Sequence, residues 1–137
     1  MGVLMRVLFL CVHNSARSQI AEGLLRARGG DRFEVFSAGS APSRVHPLAI
    51  RVMQERGIDI SAHHSKSVNE FLDQQIDCVI TLCAEEVCPN FPGTVTRVHW
   101  GLPDPSAGAR NADEQLAAFR ATRDEIERRV IAFIRAF

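Results

Sequence analysis

The stretch "CVHNSAR" sets a cysteine, Cys11, six residues before an arginine, Arg17, and follows directly on the apolar run "RVLFL". Such a pattern serves oxyanion chemistry when the cysteine ends a strand and the arginine opens a helix. The amides of Val12, His13, Asn14, Ser15, Ala16, Arg17 and Ser18 then curl around an anion, and the helix dipole adds partial positive charge. Arg17 brings a planar fork for bidentate binding of a tetrahedral oxyanion, and the same positive surroundings make a Cys11 thiolate available at neutral pH. Ser18 is placed to donate to that thiolate. Asn14 tolerates left-handed backbone and braces the loop with its amide. His13 reads as loop lining rather than as a base. By spacing alone, a small core cysteine and a surface arginine would look the same.

Three more cysteines follow, Cys78, Cys83 and Cys88. Cys83 falls at the end of the apolar run "DCVITLC" and Cys88 in the polar segment "AEEVCPNFPG", where a backbone has room to move. They read as buried thiols, as half of a zinc site with His99, or as redox partners of Cys11. No second C-x2-4-C pair completes a four-ligand set, so neither metal nor other cofactor is expected. Cys78, among apolar neighbours, reads as a structural thiol. Asp104, in "GLPDPSAG", is by itself a turn signal.

The elements must bring these residues to one edge. "RVLFLCV", "RFEVFS", "DCVITLC" and "TVTRVHW" read as strands; the third is apolar on both faces, as a central parallel strand is. Helical patterns run from about Ser18 to Arg28, stopped by Gly29 and Gly30, and from Pro47 to an αL cap at Gly57. A short helix follows Ser67, whose spacing to Glu70 makes a capping box. A long amphipathic helix follows Asn111, with Glu114 three residues on and an apolar stripe at Leu116, Phe119, Ile126, Val130, Phe133 and Phe137. The alternation predicts an α/β fold: one three-layer domain over residues 1–137, a four-stranded parallel sheet in flavodoxin-like order 2-1-3-4 with helices on both faces. Ligands bind such sheets at the carboxyl ends of the strands, where Cys11 lies.

Lysine plus arginine and aspartate plus glutamate balance at 16 each, which argues against a nucleic-acid or membrane-surface protein working through a net field. The opening "MGVLMRVLFLCVHN" carries no basic leader, no small-residue cleavage site and too short an apolar run for a span, so a cytoplasmic protein is expected, as a monomer. In a reducing cytosol, catalytic or single buried cysteines are commoner than structural disulfides.

"LCVHNSARSQIAEG" resembles the signature of the arsenate reductases built on the low-molecular-weight protein tyrosine phosphatase fold, and "SAG", "GIDIS", "VITLC" and "HWGLPDP" resemble later segments of that family in the same order. The resemblance implies that Cys11 attacks arsenate, for which phosphate and sulfate compete, and that Asp104 protonates the leaving oxygen. It also implies that Cys83 attacks the Cys11 sulfur, releasing arsenite and leaving a Cys11–Cys83 disulfide, and that Cys88 carries the disulfide outward to thioredoxin. Only four residues separate Cys83 from Cys88, a shorter gap than in the best-known thioredoxin-coupled members. A low-molecular-weight thiol with a glutaredoxin-type protein is therefore an alternative donor, and a tyrosine phosphatase is the alternative enzyme. In such phosphatases an aromatic residue usually follows the Asp-Pro; here Ser106 follows, and the chain has no tyrosine. Some relatives hold a potassium ion beside the loop on residues matching Asn14, Glu22 and Ser37 plus an aspartate. Lys66, the chain's only lysine, stands at that aspartate's position, and its ammonium is expected to replace the ion and support the loop.

Overall fold

The structure is a computed structural model that describes residues 4–84, 88–108 and 110–137. Strand β1 (Met5–Cys11) alternates its side chains between two apolar layers. Val7 and Phe9 enter one and Leu8 and Leu10 the other, all fully buried. β1 pairs in parallel with β2 (Phe33–Gly39) on one side and β3 (Cys78–Thr81) on the other, and β4 (Thr96–His99) completes the predicted order β2-β1-β3-β4.

The two faces are covered unequally. Three α-helices pack together over the first: α1 (Arg17–Gly29), α2 (Pro47–Gln54) and α3 (Ala112–Ala136) bring Ile20, Leu24, Met53, Phe119, Ile126 and Val130 onto Val7, Phe9 and Ile80. Over the second, around Leu8, Leu10 and Val79, lie Phe91 and a short helix that proves to be a single 3-10 turn, Val68–Phe71. Its predicted capping box is present, with Ser67 capping the turn and Glu70 reaching back to the Ser67 N–H at 3.3 Å.

Helix ends follow their sequence signals. Gly57, at φ 72°, closes α2 with the paired bonds of a Schellman motif, Gly57 N–H to Gln54 O and Ile58 N–H to Met53 O. Asn111 accepts from the Glu114 N–H at 2.8 Å to start α3. Two details of α3 differ from the expected stripe. Phe137, one residue past the end of α3, stays 53% exposed with its ring 4.6 Å from that of Phe133. Arg123, by contrast, is only 4% exposed: its guanidinium is satisfied by Val52 O, Glu55 and Asp124 at 2.7–2.9 Å.

Candidate active site

Cys11 is the last residue of β1, opposite Gly39, and Arg17 the first residue of α1, so the loop between them crosses the carboxyl edge of the sheet. Its carbonyls are all engaged. Val12 O accepts from Ala41 N–H, His13 O from Ser43 N–H and Ser65 Oγ, Asn14 O from Gln19 Nε2, Ser15 O from His46 N–H and Ala16 O from Ile20 N–H. A trans peptide directs its N–H opposite to its C=O, so the amides of His13 through Arg17 turn to the inner side. No side chain caps α1 and its first turn holds no acid, so no side chain of the helix itself neutralises its positive end.

Gly39 permits this wrapping. A Cβ there would stand 2.3 Å from Val12 O and 2.9 Å from the Asn14 nitrogen. Asn14 takes the left-handed conformation its type tolerates, at φ 49°.

Beneath the loop a fully connected polar network fixes the thiol. Asn14 Nδ2 donates to Ser18 Oγ at 2.8 Å and to Ser37 Oγ at 2.9 Å, and Ser37 Oγ donates to Glu22 Oε1. Ser18 Oγ accepts from Asn14 and lies 2.8 Å from Cys11 Sγ; toward a Cys11 thiolate, which can only accept, the Ser18 hydroxyl is the donor. Asn14 Oδ1 is held by Lys66 N–H at 2.8 Å and by Gln19 Nε2 at 3.0 Å. Glu22, 5% exposed, gathers Arg26 at 2.6 Å, Lys66 Nζ at 3.8 Å and His63 Nδ1 at 4.0 Å. Burial pushes the Lys66 amine and the His63 imidazole below their ordinary pKa values, and Glu22 opposes both shifts.

Arg17, 3% exposed, donates to Leu102 O at 2.8 Å and reaches Leu82 O at 3.4 Å, joining the segments that leave β4 and β3; its Nη2 lies 4.0 Å from Asp104 Oδ2. Asp104 in turn accepts from the N–H and hydroxyl of Ser106 at 2.9 and 2.7 Å. Cys11, His13, Ser15, Arg17, Asp104 and Ser106 line a cleft of about 280 Å³. His13 lies on its wall with Nδ1 3.0 Å from Ala41 O.

Cys83 lies two residues past β3 rather than on it. The strand ends at Thr81, but Leu82 N–H still bonds Leu10 O, so Cys83 leaves at the edge where Cys11 stands. Cys83 is fully buried and forms a disulfide with the partly buried Cys88, at a Cα–Cα distance of 5.6 Å, while Cys11 and Cys78 are free thiols. Residues 85–87 of the intervening segment lie outside the described residues. Cys78 faces the helical layer, and burial pushes its thiol up to about 11. Among the described residues no group of three His, Cys, Asp or Glu side chains could hold a metal, and no helix is long and apolar enough to cross a membrane.

Four contributors escape a reading of the sequence. Gln19 and Ser65 bond the outer side of the loop, His46 joins the loop to the start of α2, and Ser106 holds Asp104. Only the Asp104-Pro105-Ser106 spacing, which suits an Asx turn, carried a signal.

A strand-end cysteine, an amide-lined loop, a buried arginine and a facing aspartate on this sheet define a cysteine-based oxyanion enzyme, and residues 6–137 match the low molecular weight phosphotyrosine protein phosphatase family, to which the chain belongs. The chain is 44% identical over 129 residues to an arsenate reductase of Halalkalibacterium halodurans, covering 93% of each. It also matches the structure of an arsenate reductase in the phosphate binding state, with TM-score 0.83, 38% identity and coverage of 97% of this chain and 98% of that one. The thioredoxin-dependent arsenate reductase of Corynebacterium glutamicum is similar at TM-score 0.66 and 35% identity, over 94% of this chain and 63% of that chain. Within the family, this chain therefore groups with the arsenate reductases.

Proposed function

We propose that the protein reduces arsenate to arsenite with Cys11 as nucleophile, Asp104 as general acid and Cys83 and Cys88 as the thiols that carry the oxidation away. The observation that supports this most is the Cys83–Cys88 disulfide at the edge that carries the free Cys11 thiol. A phosphatase needs the thiolate, the cradle and the acid, and has no use for two further cysteines.

In this reading the loop amides and Arg17 bind the arsenate oxygens and Ser18 stabilises the Cys11 thiolate. As Cys11 attacks arsenic, a proton from Asp104 lets an oxygen leave as water. Cys83 then attacks Cys11 Sγ; the sulfur–arsenic bond breaks, its electron pair stays on arsenic, and arsenite departs. Cys88 attacks Cys83, Cys11 leaves as thiolate, and the Cys83–Cys88 disulfide remains for a reductant to open. The reductant proposed is thioredoxin, acting on the cytoplasmic protein as a monomer, and the thioredoxin-dependent relative supports that choice.

Steady-state arsenite formation is the test, run with thioredoxin and its reductase and, separately, with a small thiol plus a glutaredoxin. Turnover with the first pair and loss of turnover in Cys11→Ser, Cys83→Ser and Cys88→Ser is the expected result. Thiol-independent release of nitrophenol from nitrophenyl phosphate, without arsenite formation, would overturn the reading in favour of a phosphatase. Asp104→Asn should slow adduct formation about 100- to 10,000-fold in single-turnover mixing while sulfate binding is retained.

A further inference from the structure

On the second face of the sheet lies another cleft, of about 260 Å³, whose lining includes Thr81, Cys88, Phe91, Arg97 and His99. Cys88 and the exposed imidazole of His99 thus line one cleft beside the disulfide. His99 is held in it from two sides. Its Nδ1 stands 2.7 Å from Thr81 Oγ1, and that hydroxyl also reaches Val98 O at 3.5 Å. The neutral tautomer that donates from Nδ1 to this hydroxyl keeps the lone pair on Nε2. On the other side, a Cβ on Gly101 would fall 2.8 Å from His99 Nε2 and 3.3 Å from Cys83 O. The missing side chain is what allows the ring to lie against the segment that carries Cys83.

The cleft offers few rivals for a proton. Its titratable and charged groups among the described residues are Cys88, Arg97 and His99; the Arg97 guanidinium bonds Gly93 O at 3.0 Å. On β3, Cys78 faces the opposite layer. No carboxylate is among the described lining residues.

We propose that His99 is the base that deprotonates Cys88 for its attack on Cys83, an inference that rests on the thiol relay above. The Cys88 proton passes to His99 Nε2, the Cys88 sulfur bonds Cys83 Sγ, the Cys11–Cys83 bond breaks, and Cys11 leaves as thiolate. A dithiol reductant that attacks the accessible Cys88 sulfur displaces Cys83 as thiolate, and when its second thiol then displaces Cys88, His99 returns the proton. A thiol of ordinary pKa is only a few per cent ionised at neutral pH, so a base is worth at most about 30-fold there and nothing once the thiol ionises unaided.

Reduced protein mixed with arsenate without any reductant, quenched in acid and mapped for its disulfides, separates the steps. In His99→Gln, arsenite should appear at the wild-type rate, while conversion of the Cys11–Cys83 disulfide into Cys83–Cys88 slows about 10- to 30-fold at pH 7. The difference should shrink below about twofold at pH 9, where the thiol ionises by itself. An unchanged conversion rate at pH 7, or a loss that persists undiminished at pH 9, would overturn the role of His99. Absence of arsenite from the wild type would instead overturn the reductase reading.

Discussion

At the scale of single residues, the site works by committing protons. Asn14 donates to Ser18, whose hydroxyl lies 2.8 Å from Cys11 Sγ and is the donor once Cys11 is a thiolate, which can only accept. Ser18→Ala is expected to slow carboxymethylation of Cys11 at pH 7 by about three- to tenfold, the loss of one hydrogen bond to a charged group, with little change at pH 10. Equal rates at both pH values would remove the hydroxyl from thiolate stabilisation. Lys66 stands 3.8 Å from buried Glu22 and donates from Nζ to His64 O, a location suited to a fixed cation behind the loop. Potassium should therefore raise neither activity nor melting temperature over sodium in the wild type, but should raise both in Lys66→Asp; specific potassium activation of the wild type would refute the replacement. The "CVHNSARS" stretch made Cys11, Arg17, Asn14 and Ser18 legible because loop, charge and thiol are contiguous in sequence. Gln19, Ser65 and His46 were not, since bonds to the outward carbonyls of a loop leave no periodic or spacing signature.

At the scale of elements, turn and cap chemistry was readable wherever the partners are local, as at Ser67 with Glu70, Asn111 with Glu114 and Gly57. Distant partners were silent. Arg123 sits within the apolar stripe of α3 because Val52 O and Glu55, on and just after α2, satisfy its guanidinium. That junction is titratable: hydrogen bonds from Arg120 and Arg123 hold the Glu55 carboxyl down from 4.5 to about 2. A depressed carboxylate contributes stability that is whole above the unfolded value and is lost as pH falls through the folded one. Wild-type urea midpoints should therefore drop more steeply than those of Glu55→Gln between about pH 4.5 and 2, and parallel curves would dismiss the link.

At the scale of the whole molecule, strand order was legible because "DCVITLC" is apolar on both faces and must lie inside the sheet. The thin cover of the second face was not, since a single 3-10 turn carries too few residues to show a period. Burial holds His46, whose ring stacks on Phe119 at 4.6 Å, and His63 below the ordinary 6.5, so the unfolded chain binds more protons than the native one beneath that pH. Their contribution to stability is whole above about pH 6.5 and is lost as pH falls below it. Denaturant midpoints for the wild type should decline from pH 6.5 to 5.5 more than those of a His46→Asn, His63→Gln double variant, and identical declines would rule the pair out. The contrast between a fully enclosed Cys83 sulfur and a partly accessible Cys88 bears on how the two recognition problems are kept apart. In the proposed relay, the anion is sorted in one chamber by shape and charge, while the reductant meets only a sulfur delivered toward the opposite face. A bulky donor never has to fit where arsenate fits, so each opening is free to evolve its own selectivity without compromising the other.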